Sequence, residues 1–393
     1  MYLFDDISRD YEGPSGYAES HYAYLNRSAR PEFGAVRDLV EDWLGDYPKH
    51  HRTHLITRLK TQDDLQFEAA FFELYLHHIF RQAGASVQVH PYRGKGQKRP
   101  DFRVTMPGGS RFIVEAITVT EGSFMDRKAS DRLKPFYDAL NRVASPDFFF
   151  HVRHFGLPQS PIPGRRIRGA LERWLQSVDY EQVRRHAGES LLDGPTMRFT
   201  HDGCELVIAL IPVSDAHRGV ADHRPVGAMG PGEAQIVDYW TPIRDAIKSK
   251  ATRYGRLRQP YLIAINALDQ SAGQIDVMQA LFGQEAFTFR RGDPVDEELH
   301  FTRVPNGAWV GKRGPINTRV SAVMAVGTLV PWTVAVSKPE VYFNPWAAHP
   351  LSDSLDLFDA HVPVDGQVIA RPGRPVSKSL RLPTSWPQEL MPA

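Results

Sequence analysis

The stretch RPDFRVTMPGGSRFIVEAITVT, residues 99–120, decides the fold because it predicts a β-hairpin with an acidic residue on each arm. The segments PDFRVTM and RFIVEAITV have the apolar and β-branched composition of strands, and the PGGS between them is typical of a turn. Asp101 follows a proline at the start of the first arm, and Glu115 lies inside the apolar run of the second. A buried carboxylate without a partner is costly, so Glu115 needs a metal ion, a cationic partner or access to solvent.

Helix and strand patterns on both sides of the hairpin predict an α/β domain. Before it, apolar residues recur at three- and four-residue steps over residues 63–82, which indicates a helix closed by an Ala-Gly pair. The segment ASVQVHPY then alternates like a half-exposed strand. After the hairpin, residues 125–143 have the pattern of a charged helix, and PDFFFHVRHF has that of a fourth strand. The predicted order is helix, three strands, helix, strand.

The whole chain divides into four regions of different character. Residues 1–60 are predicted to form an N-terminal arm and a helix, and residues 61–155 form the core just described. Residues 156–350 repeat the alternation of helices and strands as an α/β extension, which favours a mostly parallel sheet. Residues 351–393, rich in Pro, Ser and Leu, are predicted to be an irregular C-terminal tail.

The composition is that of a globular protein without a strong charge. Of 393 residues, 42% are hydrophobic and 24% are charged, and the formal net charge is +1, so an acidic partner would need local basic clusters. The sequence shows no signal peptide and no membrane-spanning run, which predicts a cytoplasmic protein that does not contact a membrane. The single cysteine, Cys204, opens an apolar run, so we expect a buried thiol instead of a nucleophile.

The acidic residues could support hydrolysis of a phosphodiester with the help of a metal ion. Hard oxygen ligands suit Mg²⁺ or Mn²⁺, which neutralise developing charge and activate water. Asp101 and Glu115, on neighbouring strands, could share one ion, with the carbonyl oxygen of Ala116 as a further ligand. Glu73 on the preceding helix is the expected third carboxylate, and Glu68 is the alternative.

These residues resemble the motif of the PD-(D/E)xK nuclease superfamily. FFELYLHHIFRQAG with Glu73, RPD with Asp101 and VEAI with Glu115 correspond to its helix glutamate, its Pro-Asp and its Asp/Glu-x-Lys. The likeness covers about residues 61–155, and it implies a restriction-endonuclease-like core extended by further α/β elements. It also implies an endonuclease dependent on Mg²⁺ or Mn²⁺, in bacterial antiviral defence or DNA repair, with nucleic acid as its partner and DNA expected before RNA.

Ile117 departs from this motif, because the superfamily has at that position a lysine that positions water and stabilises negative charge. Members without it commonly take a cation from the next helix, so the resemblance implies Lys128 or Lys134 as the substitute. One alternative is a nuclease-like module that has lost hydrolysis and binds nucleic acid or a protein partner. Another is a structural role, with Glu115 in a salt bridge to Arg99 or Arg111.

Basic segments elsewhere add candidates for binding nucleic acid. Four cations precede Asp101, where phosphate contacts are expected: Arg93, Lys95, Lys98 and Arg99. The helix pattern YWTPIRDAIKSKATRYGRL could line a nucleic-acid groove or present an exposed charged face. The histidines of KHHRTH are predicted to lie in a basic turn without carboxylates, which makes a zinc site unexpected. A protein partner or a second copy of the chain is left open.

Overall fold

The computed structural model describes residues 2–91, 98–120, 128, 130–187, 195–219, 223–232, 238–255, 257–268, 273–288, 300–351, 355, 357–365 and 367–387. These residues form mixed α/β structure in two compact units. Unit 1 comprises Met1–Gly13, Ser20–Glu121 and Asp238–Ala393, and unit 2 comprises Pro14–Glu19 and Gly122–Val237. Among the described residues, no helix is both long and apolar enough to cross a membrane.

The helices of the described chain are α1 His21–Arg27, α2 Pro31–Asp46, α3 Lys49–Leu59, α4 Asp64–Gln82, α5 Lys134–Leu140, α6 Gly164–Leu175, α7 Tyr180–Ala187, α8 Trp240–Ala251, α9 Gln274–Phe282 and α10 Val376–Leu380. The strands are β1 Ser86–Val89, β2 Phe102–Thr105, β3 Arg111–Val119, β4 Phe148–Phe155, β5 Thr196–His201, β6 Cys204–Pro212, β7 Val226–Pro231, β8 Tyr261–Ala267, β9 Glu285–Thr288, β10 His300–Arg303, β11 Val310–Gly311, β12 Gly314–Pro315, β13 Ala322–Gly327, β14 Glu340–Phe343, β15 Asp359–Val364 and β16 Gln367–Arg371.

Unit 1 is built around an eight-stranded sheet in the order β1-β2-β3-β8-β13-β14-β15-β16. The predicted hairpin is present as antiparallel β2 and β3, and β3 pairs in parallel with β8, which pairs in parallel with β13. Because side chains alternate along a strand, the sheet contributes side chains to two apolar cores, one on each face. One face of β3 packs Phe112 and Val114 against the α4 side, and the other packs Ile113 and Ile117 against the α8 side.

Helix α4 confirms the helix predicted from periodicity. The Asp63 carboxylate caps its first turn by accepting from the N–H groups of Leu65 and Gln66. The basic turn predicted for residues 49–54 is wrong, because this segment is the first half of helix α3. Burial of Leu55, Ile56 and Leu59 fixes α3 against its neighbours, and the histidines occupy its remaining surface.

Unit 2 has a sheet of its own, in the order β5-β6-β4-β7, packed with α5, α6 and α7. Its core includes Cys204, whose thiol is buried as expected. Strand β4 was expected to be the last strand of the 61–155 core, but it pairs with β6 and β7 in the sheet of unit 2. In the large sheet, the place beside β3 is taken by β8, which follows helix α8. The predicted core boundary therefore differs from the structure, because unit 2 is inserted between β3 and α8.

The C-terminal region also differs from the irregular tail that was expected. Strands β15 and β16 form an antiparallel pair at the edge of the large sheet, and α10 packs on the α4 side. Asp365 in the connection has a positive φ of 50°, which a tight hairpin turn requires. The Asp-Gly dipeptide at residues 365–366 is the sequence signal that could have predicted this hairpin.

Candidate functional site

Glu115 is the most deeply buried acid of the predicted site, with 2% of its surface exposed. Lys250 places its ammonium nitrogen 2.5 Å from Oε1. The Tyr254 hydroxyl donates a hydrogen bond to Oε2, and the Arg253 Nε lies 3.5 Å from Oε1. The carboxylate therefore has the partner that its burial demands, and that partner is neither Arg99 nor Arg111.

The cations on Glu115 come from the end of α8 and the residues after it. The buried stripe of this helix consists of Ile243, Ile247 and Ala251, which are four residues apart. Lys250 lies beside that stripe in the last turn, and its side chain is 15% exposed. Its ammonium thus approaches β3 from the helix that packs over it, 135 residues further along the chain than Glu115.

Asp101 lies directly before β2, opposite Glu115 and Ala116 on β3. Its Oδ2 accepts a hydrogen bond of 2.8 Å from the Ala116 N–H. Burial raises the pKa of Asp101 well above its ordinary value, and the negative charges of Glu115 and Glu73 raise it further. The Ala116 N–H and the Lys250 ammonium oppose this shift. Asp101 is thus near enough to Glu115 and Glu73 for their negative charges to disfavour its own ionisation.

Glu73 lies in the middle of α4 and forms an ion pair of 2.7 Å with Arg58 of α3. The alternative acid, Glu68, is five residues earlier on the same helix and lies 3.4 Å from the imidazole of His21. Glu73 also lines a cavity of about 290 Å³. The helix glutamate expected from the motif therefore faces an open space, and Glu68 interacts elsewhere.

The surroundings of residue 117 suit an apolar side chain such as isoleucine. Ile117 packs against the apolar core beneath α8, on the same face of β3 as Glu115. The expected substitutes, Lys128 and Lys134, belong to unit 2, where Lys134 pairs with Asp131 at 2.8 Å. Among the described residues, the lysine on Glu115 is Lys250, which sequence reasoning had left as part of a groove or an exposed helix face.

The basic residues before Asp101 are only partly within the described chain. Arg93 and Lys95 lie outside it. Lys98 and Arg99 are exposed, and Arg99 lines the cavity beside Glu73. The Arg99 carbonyl oxygen lies 3.0 Å from the Tyr254 hydroxyl, which places this segment next to the residues around Glu115.

The acids suit a divalent cation by their chemistry but are engaged with other partners in this conformation. Carboxylate oxygens are the ligands that a hard cation such as Mg²⁺ or Mn²⁺ prefers, and such a cation would offset the repulsion that raises the pKa of Asp101. Within the described ranges, however, no three Asp, Glu, His or Cys side chains are arranged to hold a metal ion. Glu115 is engaged by Lys250 and Tyr254, and Glu73 by Arg58. Asp101 accepts a hydrogen bond from the Ala116 N–H.

Comparisons of this chain with protein-family models, with curated proteins and with solved structures find no match. The geometry of the acids and of Lys250 is therefore the basis for a functional conclusion.

Proposed function

We propose that this chain is a nuclease dependent on Mg²⁺ or Mn²⁺, with a PD-(D/E)xK-like core in which Lys250 replaces the missing motif lysine. The observation that carries the proposal is the Lys250 ammonium, 2.5 Å from the buried carboxylate of Glu115. A lysine two residues after the glutamate would approach the same carboxylate from β3. Lys250 approaches it from α8, so the cation is retained although position 117 is isoleucine.

The arrangement of elements in unit 1 supports this proposal. Helix α4, the strands β1, β2 and β3, helix α8 and strand β8 follow the order helix, three strands, helix, strand. The antiparallel hairpin β2–β3 and the parallel pair β3–β8 put the acids at one end of the hairpin, beside the helix that carries the lysine. The large insertion between β3 and α8 does not interrupt this order within the sheet.

In the proposed site, Asp101, Glu115 and the Ala116 carbonyl oxygen would hold the ion, with Glu73 as a further carboxylate. A bound ion would neutralise charge on the phosphate and lower the pKa of water. Lys250 would orient water and stabilise the negative charge of the transition state from its place beside Glu115. Tyr254 would hold the other oxygen of that carboxylate.

The proposed substrate is nucleic acid, with DNA as the first candidate and RNA as the second. Lys98 and Arg99 are exposed cations three and two residues before Asp101, where they could contact the phosphates of a bound strand. The Arg99 carbonyl oxygen also lies beside the Tyr254 hydroxyl, so a strand bound there would lie next to the acids.

The proposal is tested with purified protein, DNA or RNA substrates, and Mn²⁺ or a chelator. We expect cleavage that requires the metal and that is lost in the Asp101→Ala, Glu115→Gln and Lys250→Met proteins. Lys248→Met is the matched control, because Lys248 lies on the same helix but directs its ammonium to the Asn306 carbonyl oxygen. Equal cleavage by wild type and Asp101→Ala would contradict the proposal.

A second candidate is a nuclease-like module that binds nucleic acid or a protein partner without hydrolysing it. The observation in its favour is that Glu73 and Glu115 both form ion pairs with cations of the chain. Such a module should bind DNA with an affinity that falls steeply with salt and does not change with chelator. Calorimetry with Mn²⁺ separates the two candidates, because only the nuclease requires the acids to bind the ion.

A further inference from the structure

The cavity beside Glu73 has an unusual concentration of histidines. Its lining consists of Tyr47, His51, His54, Leu55, Glu73, His90 and Arg99. Its volume of about 290 Å³ lies at the lower end of the range of small-molecule sites. It is therefore large enough to receive a small polar group, and most of its polar lining consists of nitrogen donors.

These donors come from three separate parts of unit 1 that meet at the cavity. His51 and His54 are three residues apart on α3 and so share one face of that helix. His90 directly follows β1, and its ring meets that of His51 at 5.2 Å between centroids. The His90 Nδ1 donates to the Pro100 carbonyl oxygen at 3.2 Å, which directs the other ring nitrogen away from that contact.

The charge of this lining favours an anion. Arg99 is a permanent cation, and Glu73, the carboxylate in the lining, is neutralised by Arg58 at 2.7 Å. Burial lowers the pKa of His51, and the positive charges of its neighbours, including His50, His90 and Arg99, lower it further. An anion in the cavity would relieve this repulsion.

The cavity also adjoins the acids of the proposed active site. Tyr47 and Glu73 both belong to its lining. Burial raises the pKa of Tyr47, and the negative charges of Glu73 and Asp101 raise it further, so Asp101 also lies near this part of the lining. Arg99 is two residues before Asp101 in the chain. A group in the cavity would therefore lie next to the site of cleavage.

We propose that this cavity is a phosphate-binding subsite, in which Arg99 and the imidazoles of His51 and His54 hold a phosphate group of the nucleic acid beside the His90 ring. Guanidinium matches the geometry of phosphate oxygens, and imidazole N–H groups supply further donors. The inference rests on the proposed function for the identity of the whole ligand. Binding of phosphate itself needs neither the metal ion nor hydrolysis.

The test measures phosphate binding to the full chain in the presence of a chelator. Protein with isotope-labelled histidine is titrated with inorganic phosphate at constant ionic strength, and the ring signals are followed by NMR. We expect the signals of His51, His54 and His90 to shift and to saturate together. Arg99→Gln and His54→Gln should each weaken the affinity by about tenfold, as expected for loss of a hydrogen bond to a charged group.

His50→Gln is the matched control, because His50 precedes His51 on α3 and packs on its ring at 4.1 Å but does not line the cavity. It should leave the affinity for phosphate unchanged. A second titration compares a short thymidine oligonucleotide with and without a 5′-phosphate. Tighter binding of the phosphorylated form supports a subsite for a terminal phosphate, and equal binding supports one for an internal phosphodiester.

Two results would overturn the subsite: ring signals that do not move with phosphate, or an affinity that is the same in wild type, Arg99→Gln and His54→Gln. A protein that binds phosphate in this way but does not cleave DNA with Mn²⁺ would overturn the nuclease proposal alone. The two proposals can therefore fail independently.

Discussion

Replacing the lysine on α8 by one on β3, with Lys250→Met and Ile117→Lys, would test whether the site needs an ammonium beside Glu115 or needs Lys250 itself. Lys250→Met removes the charge 2.5 Å from Glu115 Oε1 and keeps a side chain of similar length. Glu115 would retain the Tyr254 hydroxyl on Oε2 and the Arg253 guanidinium, 3.5 Å from Oε1. The carboxylate would stay hydrogen-bonded but lose its closest cation.

The expected size of the effect follows from the geometry of the pair. Two unit charges 2.5 Å apart attract each other by about 7 kcal/mol at an effective dielectric constant of about 20. Desolvation of both ions offsets much of this, and removing one partner of a buried pair typically costs about 3–5 kcal/mol. Because Tyr254 and Arg253 remain, we expect a loss near the lower end, about 3 kcal/mol of unfolding free energy. Cleavage should fall by about 10²–10³-fold, as when another stabilising donor is lost.

Adding Ile117→Lys to Lys250→Met should restore part of the activity. Residues 115 and 117 are on the same face of β3, about 7 Å apart along the strand, so a lysine at 117 can bring its ammonium to the Glu115 carboxylate. We expect cleavage at least about tenfold above that of the single variant, which corresponds to about 1.4 kcal/mol. Loss of the apolar packing of Ile117 should keep the double variant less stable than wild type.

The matched control is Thr118→Lys in the same Lys250→Met background, because residue 118 points to the opposite face of the strand. It adds the same charge to β3 and should give no rescue. The assays are metal-dependent cleavage of DNA and urea unfolding followed by tryptophan fluorescence. Full activity in the Lys250→Met protein, or equal rescue by lysines at 117 and 118, would refute the role assigned to Lys250.

Three further predictions concern groups around the site and in unit 2. In the metal-free protein, the pKa of Asp101 is raised above its ordinary value of 3.8. The stability that protonated Asp101 contributes to the folded state is therefore fully present below about pH 4, and it is lost as the pH rises through the folded-state pKa. Measured by urea unfolding, Asp101→Asn should therefore stabilise the metal-free protein at pH 7 and have little effect near pH 4. An equal gain in unfolding free energy at both pH values would argue against repulsion between the carboxylates. Tyr254→Phe should cost about 1–3 kcal/mol because one oxygen of Glu115 loses its donor, whereas Tyr75→Phe should cost little because the Tyr75 hydroxyl is buried without a hydrogen bond among the described residues. Burial raises the pKa of the Cys204 thiol, so we expect slow alkylation at pH 8 until the protein is unfolded in urea, and fast labelling of the folded protein would contradict its burial.

The parts of the fold that were predicted from the sequence depend on short-range patterns. The stripe of apolar residues in α4 and the turn between β2 and β3 are local signals, and the structure contains both. The mixed α/β class follows from the same patterns. The hairpin also brings Asp101 beside Ala116, because the register pairs Phe102 with Val114.

The insertion could not be predicted because two helix–strand pairs have the same kind of pattern. The segment with α5 and β4 follows β3 directly, whereas the segment with α8 and β8 comes after the whole of unit 2. Both strands are apolar, and local periodicity does not state which of them pairs with β3. The pairing is settled by long-range packing, in which β8 alternates between two cores and fits between β3 and β13.

Ile117 and Lys250 are best understood as one feature. Both belong to the layer between β3 and α8, Ile117 within the apolar core and Lys250 at the margin of the buried stripe. A lysine at 117 in the wild-type chain would place a second ammonium beside Glu115 and remove an apolar contact under the helix. With Lys250 in place, that change would cost stability through charge repulsion and lost packing. In the proposed site, Ile117 therefore supplies packing beneath α8 and Lys250 supplies the cation, and the two residues should be changed together when the site is tested.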